Sequence, residues 1–259
     1  MEIQPVHGIP ALTVDEYLVI GDLHIGLESH LKAKGYHIIS HTGDMFDAVS
    51  EAAGTFSSKL IVIGDIKDSV PGSTKQEYRE IPNFFDRLLE RFDSVDVVRG
   101  NHDTNIEEFL PGRVNIHPAS GFKVEDVGFI HGHTWPSKEV MRSETLIMGH
   151  DHPSVMFRDG VGRQVTEPCW VRGRFLGTTT EKYEELPERF IIVPAFNRML
   201  GGSPVNIIGE PLLGPIMGGG LLDLDNATVH LLDGIDLGKI SDLRIKGREQ
   251  NKRDLRSAI

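Results

Sequence analysis

Five runs of apolar residues, each four or five long, break off abruptly into polar clusters: EYLVIGDLH (16–24), KLIVIGD (59–65), VDVVRGNHD (95–103), VGFIHGH (127–133) and TLIMGHDH (145–152). Continuous apolar runs of that length mark strands buried on both faces. Between the first three lie LESHLKAKG (27–35), TGDMFDAVSEAAG (42–54) and NFFDRLLERF (83–92), which read as helices. In the last, Phe84, Phe85, Leu88, Leu89 and Phe92 make a helical stripe. Strand–helix–strand alternation predicts an α/β layered fold. After residue 120 the pattern is strand-rich, with turns expected at RDGVG (158–162), VRG (171–173) and LDNAT (224–228). Antiparallel or mixed pairing is therefore expected there. The Gly-rich LLGPIMGGGLL (212–222) reads as a loop entering a last hairpin, LLDLDNATVHLLDG (221–234). From Arg244 onward six basic and two acidic residues, with little periodicity, predict a mobile tail or a poorly packed terminal helix.

A chain of 259 residues can bury one substantial core or two small ones. A single cysteine, Cys169, excludes an internal disulfide and suits a reducing cytoplasm. The opening MEIQPVHGIP has no apolar core of a signal peptide, and no run nears the roughly 18 apolar residues that span a bilayer. A net charge of −11 argues against a broad basic surface for nucleic acid. Acids that bind divalent cations reverse the local field, however, so a polyanionic substrate stays open.

The polar clusters carry the chemistry. The first strand delivers Asp22 and His24, the second Asp65, and the third Asn101, His102 and Asp103. The fourth delivers His131 and His133, the fifth His150 and His152. Ligands of α/β sheets bind beyond the carboxyl ends of strands, so these residues should converge. Each motif alone is an ordinary turn or cap. Together, each after an apolar strand, they point to one metal pocket, since burying so many carboxylates and imidazoles without partners is costly. Two Gly-Asp-x-x-Asp segments compete for one place in it. GDMFD follows the polar HIISHT and runs into a helix, so Asp44 reads as a helix-start residue. GDIKD follows KLIVI, so Asp65 is the expected ligand.

The ordered set GDLH, GDIKD, GNHD, FIHGH and GHDH, over residues 21–152, resembles the calcineurin-like metallophosphoesterases. DLHIGLE, GHDHPSV, PCWVRG and VPAFNRMLGG further resemble the small prokaryotic SbcD-related phosphoesterases. The resemblance implies two mostly mixed sheets packed face to face with helices outside. It also implies one catalytic domain over residues 1–243 and a basic tail over 244–259. It implies two metal ions, one held by Asp22, His24 and His152 and the other by Asn101, His131 and His150, with Asp65 bridging. Mixed oxygen and imidazole donors without thiolate favour Mn²⁺, with Fe, Zn²⁺, Ni²⁺ or Mg²⁺ as alternatives. A pair of ions about 3.5–4 Å apart would share an attacking hydroxide and clamp the phosphate oxygens. His102 is the expected general acid, or a donor to the phosphoryl oxygens; Asp103 orients its ring or forms the turn. His131 is preferred to His133 as ligand because it ends the apolar strand. Lys67 either contacts phosphate or is a solvated surface residue, and His30, His37 and His41 belong to the surface. Asp68 departs from the histidine often found at its place, which leaves its role open.

These residues describe a hydrolase of phosphodiester bonds. The resemblance makes it a DNA nuclease akin to repair exonucleases, with repair proteins or helicases as partners and no membrane. Arg158, Arg163, Arg172, Arg174 and Arg198 could line a groove. Little chain remains for a capping domain, so single strands, ends or short oligonucleotides are the expected substrates. A phosphatase or phosphodiesterase for a small nucleotide is the alternative, and a non-catalytic scaffold of the same fold the second.

Overall fold

The computed structural model describes residues 1–36, 38–210 and 212–246, so His37 lies outside the described residues. Its first sheet orders β1 (Ile3–Pro5), β2 (Leu12–Val14), β3 (Tyr17–Ile20), β4 (Lys59–Ile63), β5 (Ser94–Val98) and β6 (Asn115–His117) side by side. The β1–β2–β3 ladders are antiparallel; β3 through β6 run parallel. The parallel crossovers carry α1 (Leu27–Ala33), α2 (Thr42–Ala53) and α3 (Lys75–Arg91).

The second sheet contains β7 (Phe122–Val124), β8 (Val127–Ile130), β9 (Thr145–Met148), β10 (Pro153–Arg158), β11 (Gln164–Arg174), β12 (Arg189–Ile192) and β13 (Ser203–Pro204), ordered β13-β10-β11-β12-β9-β8-β7. Its pairings are mixed, with β8, β9 and β12 parallel and the rest largely antiparallel. A two-stranded parallel pair, β14 (Ile207–Ile208) with β17 (Ile245–Lys246), lies apart, and the hairpin of β15 (Thr228–Leu231) and β16 (Asp236–Lys239) joins β11.

Alternation along each strand assigns its two faces to two cores. Leu18, Ile20, Leu60 and Val62 pack outward against Met45, Val49, Phe84, Phe85 and Leu88 of α2 and α3. Val19, Ile61 and Ile63 pack inward against Phe129, Ile147, Trp170 and Ile191 of the other sheet. The outer face of that sheet, with Ile130, Leu146, Met148 and Phe190, is covered by Val140, Met141, Ile216 and Met217 from two short helices. The five apolar runs are thus strands buried on both faces, and the layered α/β architecture follows.

Several local expectations shift. The third helix begins eight residues earlier than its apolar stripe suggests. Thr74 and Glu77 form a reciprocal capping box at its start, and Ile81, Phe84, Phe85 and Leu88 bury its inner face. That anchoring offsets Pro82, which lacks an amide for the helix ladder. The turn expected at VRG is instead the interior of β11: a Cβ on Gly173 would lie 2.6 Å from the Phe190 ring, so glycine serves close packing there. LDNAT does turn, with Ala227 N–H donating to Leu224 O at 3.1 Å, but the last hairpin, β15 with β16, turns after Leu231. Ile245 and Lys246, expected in the tail, pair with β14; residues 247–259 lie outside the described residues.

Candidate metal centre

The loops leaving β3 and β4 are zipped together by main-chain bonds. Asp22 N–H donates to Gly64 O at 3.1 Å, His24 N–H to Asp65 O at 2.9 Å, and Ile25 N–H to Ile66 O at 2.8 Å. A Cβ on Gly100 would overlap the Asp65 carboxylate and amide, so the GNHD loop approaches closely only through glycine. Eight non-glycine residues among those described have positive φ, and five of them are Asp22, His24, Asp65, His150 and His152. L-residues rarely occupy that region, and at functional sites it is held by the surrounding structure.

These loops bring all seven expected ligands together. His152 Nε2 lies 3.1 Å from Asp22 Oδ1. Asp65 Oδ2 lies 3.5 Å from His24 Nε2 and 3.2 Å from His131 Nε2. His131 Nε2 is also 3.0 Å from Asn101 Oδ1 and 3.1 Å from His150 Nδ1. The donors fall into overlapping groups, Asp22–His24–His152 and Asp65–His131–His150, while His24–Asp65–His102 spans between them. Asp65 thus belongs to two of the three groups, and so does His24.

The donor set fits divalent ions. Ligand atoms about 2.0–2.2 Å from one centre stand roughly 3 Å apart, as these do. Asp22 Oδ1 and His24 Nε2 are buried without a hydrogen-bond partner, and both belong to the first group. The tautomers also agree. His131 Nδ1 donates to Ile63 O at 2.9 Å, and His24 Nδ1 faces Asp68 Oδ1 at 3.3 Å, which aims each Nε2 inward. Fixing one imidazole nitrogen on a carbonyl or carboxylate is how proteins orient a metal-binding histidine.

Burial opposes charge, and at Asp22, Asp65 and His131 the neighbours win. Burial would raise Asp22, but His152 and His131 hold it below the usual carboxylate range. Asp65 is lowered likewise, against its burial, by His131 and His24. For His131 burial works against the charge, but Asp65 and Asp22 raise it to about 9. Burial and then the His131 charge lower His150 to about 4. Without a cation, His131 thus keeps its proton at neutral pH and must release it to become a ligand. Apparent Mn²⁺ affinity should rise about tenfold per pH unit and level off near pH 9. Titration calorimetry from pH 6.5 to 9.5 measures this, and a flat profile would contradict it.

Other residues stand differently from their expected roles. Asp103 does not touch the His102 ring; it is buried and accepts from Gly100 N–H at 2.7 Å and Ile66 N–H at 2.8 Å. It ties two loops together as a turn-forming carboxylate does. The His102 ring is oriented by the Asp68 carbonyl, which accepts from Nδ1 at 2.6 Å. Its Nε2 is then directed at the ligands, 4.0 Å from Asp65 Oδ2. Lys67 is neither a phosphate contact nor a surface residue. It is buried, and Nζ donates to Ser69 O at 3.1 Å, Gly72 O at 2.8 Å and the Ser73 hydroxyl at 3.3 Å. Buried Glu77 accepts from the amides of Asp68 and Ser69, at 3.1 and 2.7 Å. Lys67 and Glu77 therefore fasten the loop that presents Asp68 to both His24 and His102. Lys67, expected at phosphate or in solvent, holds a loop instead, and the only sign of Glu77 in the sequence is its capping-box spacing after Thr74.

His133 lies beside the cluster, its ring centre 5.3 Å from that of His131, with Nδ1 buried and unpartnered. Asp44 sits in the first turn of α2 with its side chain 79% exposed, paired to His41 at 3.0 Å and away from the ligands. His30 is half-exposed, 3.7 Å from Asp68. Of the five arginines, Arg172 lies with its Nε and Nη2 buried, Arg174 pairs with Glu188, and Arg198 borders a cavity next to His152.

A sheet sandwich whose parallel strand ends gather two carboxylates, an amide and four imidazoles around a free histidine nitrogen defines a metal-dependent hydrolase of phosphoester bonds. The chain belongs to the calcineurin-like phosphoesterases, whose family model matches residues 16–176. No curated protein matches the chain. Among solved structures, the Pseudomonas putida nuclease MPE is 17% identical with a TM-score of 0.52, over 89% of this chain and 96% of that one. YfcE, a phosphoesterase from E. coli, is 15% identical with a TM-score of 0.36, over 86% and 97%. At such identities the likeness is one of fold.

Proposed function

We propose that this phosphoesterase is a phosphodiesterase that cuts DNA at single strands or ends, with Mn²⁺ as its preferred ion. The observation that carries the phosphoesterase chemistry is the place of His102: Nε2 faces the ligand cluster while Nδ1 is spent on Asp68 O. The alcohol of a phosphoester leaves as an alkoxide, which needs a proton at that point, and His102 stands where it can supply one; the choice of a diester follows the resemblance to nucleases of this family. Two divalent ions, when bound, add Lewis acidity and an activated water. Asp22, His24 and His152 would hold one ion, Asn101, His131 and His150 the other, and Asp65 both. The chain's own residues then do the rest. Asp68 presents His102 and His24, Lys67 and Glu77 hold the Asp68 loop, and Asp103 ties the GNHD loop to it. Support for a nucleic acid comes from the Pseudomonas putida protein of the same fold, a nuclease; the choice of DNA follows the sequence resemblance.

We read residues 1–243 as one catalytic unit with a basic appendage over 244–259, in a cytoplasmic protein that works alongside repair factors or helicases. No helix among the described residues is long and apolar enough to cross a membrane. The test is a panel of single-stranded DNA, duplex DNA, RNA and nucleotides with Mn²⁺, before and after chelation. Turnover of single strands or ends is the expected result. Cleavage of nucleotides alone would move the assignment to a small-nucleotide phosphoesterase, and no turnover at all to a scaffold.

A further inference from the structure

A cavity of about 660 Å³ opens beside the ligand cluster, and His152 belongs to both. Its size falls within the roughly 300–1,000 Å³ of small-ligand clefts. Pro10, Pro153 and Leu232 supply apolar wall, and Ser154, also on the wall, is buried with its hydroxyl lacking a partner. Glu167 and Asp233 border the cavity too, so a second anionic group is repelled from its interior while an uncharged base and sugar are not. Arg198 stands exposed on the rim, with no ion pair or hydrogen bond among the described residues. The same arginine borders a second hollow of about 190 Å³, walled by Met45, Phe196 and Met199.

The geometry points to a strand-binding subsite: the larger cavity takes the nucleoside on the His152 side of the scissile phosphate, and Arg198 grips the next phosphate along. This rests on the phosphodiesterase reading and narrows it to oligonucleotides that carry a phosphate beyond the one cleaved. An ester group of a phosphate held at the cluster has this cavity as its neighbour. A guanidinium between two hollows suits a backbone that passes from one to the other, with bidentate contact to phosphate.

Arg198→Gln removes the charge, and Gly201→Trp fills the cavity from a wall position where an added Cβ meets nothing within 4 Å. The readout is the ratio of kcat/KM for a single-stranded 12-residue oligodeoxynucleotide to that for bis-p-nitrophenyl phosphate, with Mn²⁺. Both variants should lower that ratio at least tenfold, whereas Arg174→Gln, whose side chain pairs with Glu188, should not. Arg198→Gln should also flatten the slope of log K against log salt by about 0.7, as expected for one lost single-strand phosphate contact. An unchanged ratio in both variants, with bis-p-nitrophenyl phosphate still turned over, would overturn the subsite and leave the phosphodiesterase reading intact. If the unaltered protein turns over no diester, that reading fails, and anisotropy of a labelled oligonucleotide judges the subsite instead. Equal affinity of both variants and the unaltered chain would then overturn it.

Discussion

Asp65→Ala is expected to abolish metal uptake and turnover together, while Asp44→Ala leaves both in place. The two residues share a motif and differ in everything around it. Asp65 is buried, lies within 3.5 Å of the Nε2 atoms of His24 and His131, and accepts the His102 amide at 2.9 Å. Its loss strips both ion positions of a shared oxygen and frees the amide that seats His102. Asp44 interacts only with a helix amino terminus and an exposed His41, so its loss should cost at most about 1 kcal/mol. Metal content after gel filtration and bis-p-nitrophenyl phosphate hydrolysis measure both effects. Equal loss of activity in two folded variants would remove Asp65 from its proposed place.

His102→Ala should retain the ions and slow turnover by roughly 10²–10⁴-fold, the usual worth of a positioned proton donor. The ring meets the cluster through Nε2, 4.0 Å from Asp65, and edge-on against His24 at 4.7 Å between ring centres, whereas the seven expected ligands remain complete without it. The readouts are metal stoichiometry and kcat. Depletion of metal in this variant would make His102 a ligand, a place its grouping with His24 and Asp65 also allows.

The site's scaffold was legible because buried strands have few uses for histidine and aspartate. An apolar run that ends in Asp-x-His or His-x-His announces a job at its carboxyl end, although the left-handed backbone just past the strand, rather than strand alternation, sets where those side chains point. What holds the ligands was less visible. Asp103 takes its partners from a loop 37 residues away, and nothing in GNHD alone says that Ile66 is one of them. Lys67 looks like any polar loop residue until Gly72 and Ser69 fold over it. Asp68 contributes a main-chain carbonyl to His102, a contact that side-chain identity cannot encode. Arg172 shares a face of β11 with buried Trp170, two residues before it, so its guanidinium turns toward the space between the sheets, with Nε and Nη2 buried.

The left-handed backbone at Asp22, His24, Asp65, His150 and His152 bears on how this molecule ages. Each such residue costs on the order of 1–3 kcal/mol, against a folded margin of about 5–15 kcal/mol for a whole domain. A chain starved of divalent ions keeps that distortion with only its loop hydrogen bonds and His–Asp contacts to offset it. Its catalytic rim should loosen well before the hydrocarbon layers beneath it, and proteases should find that rim first. Cation supply then governs the lifetime of the enzyme as well as its speed.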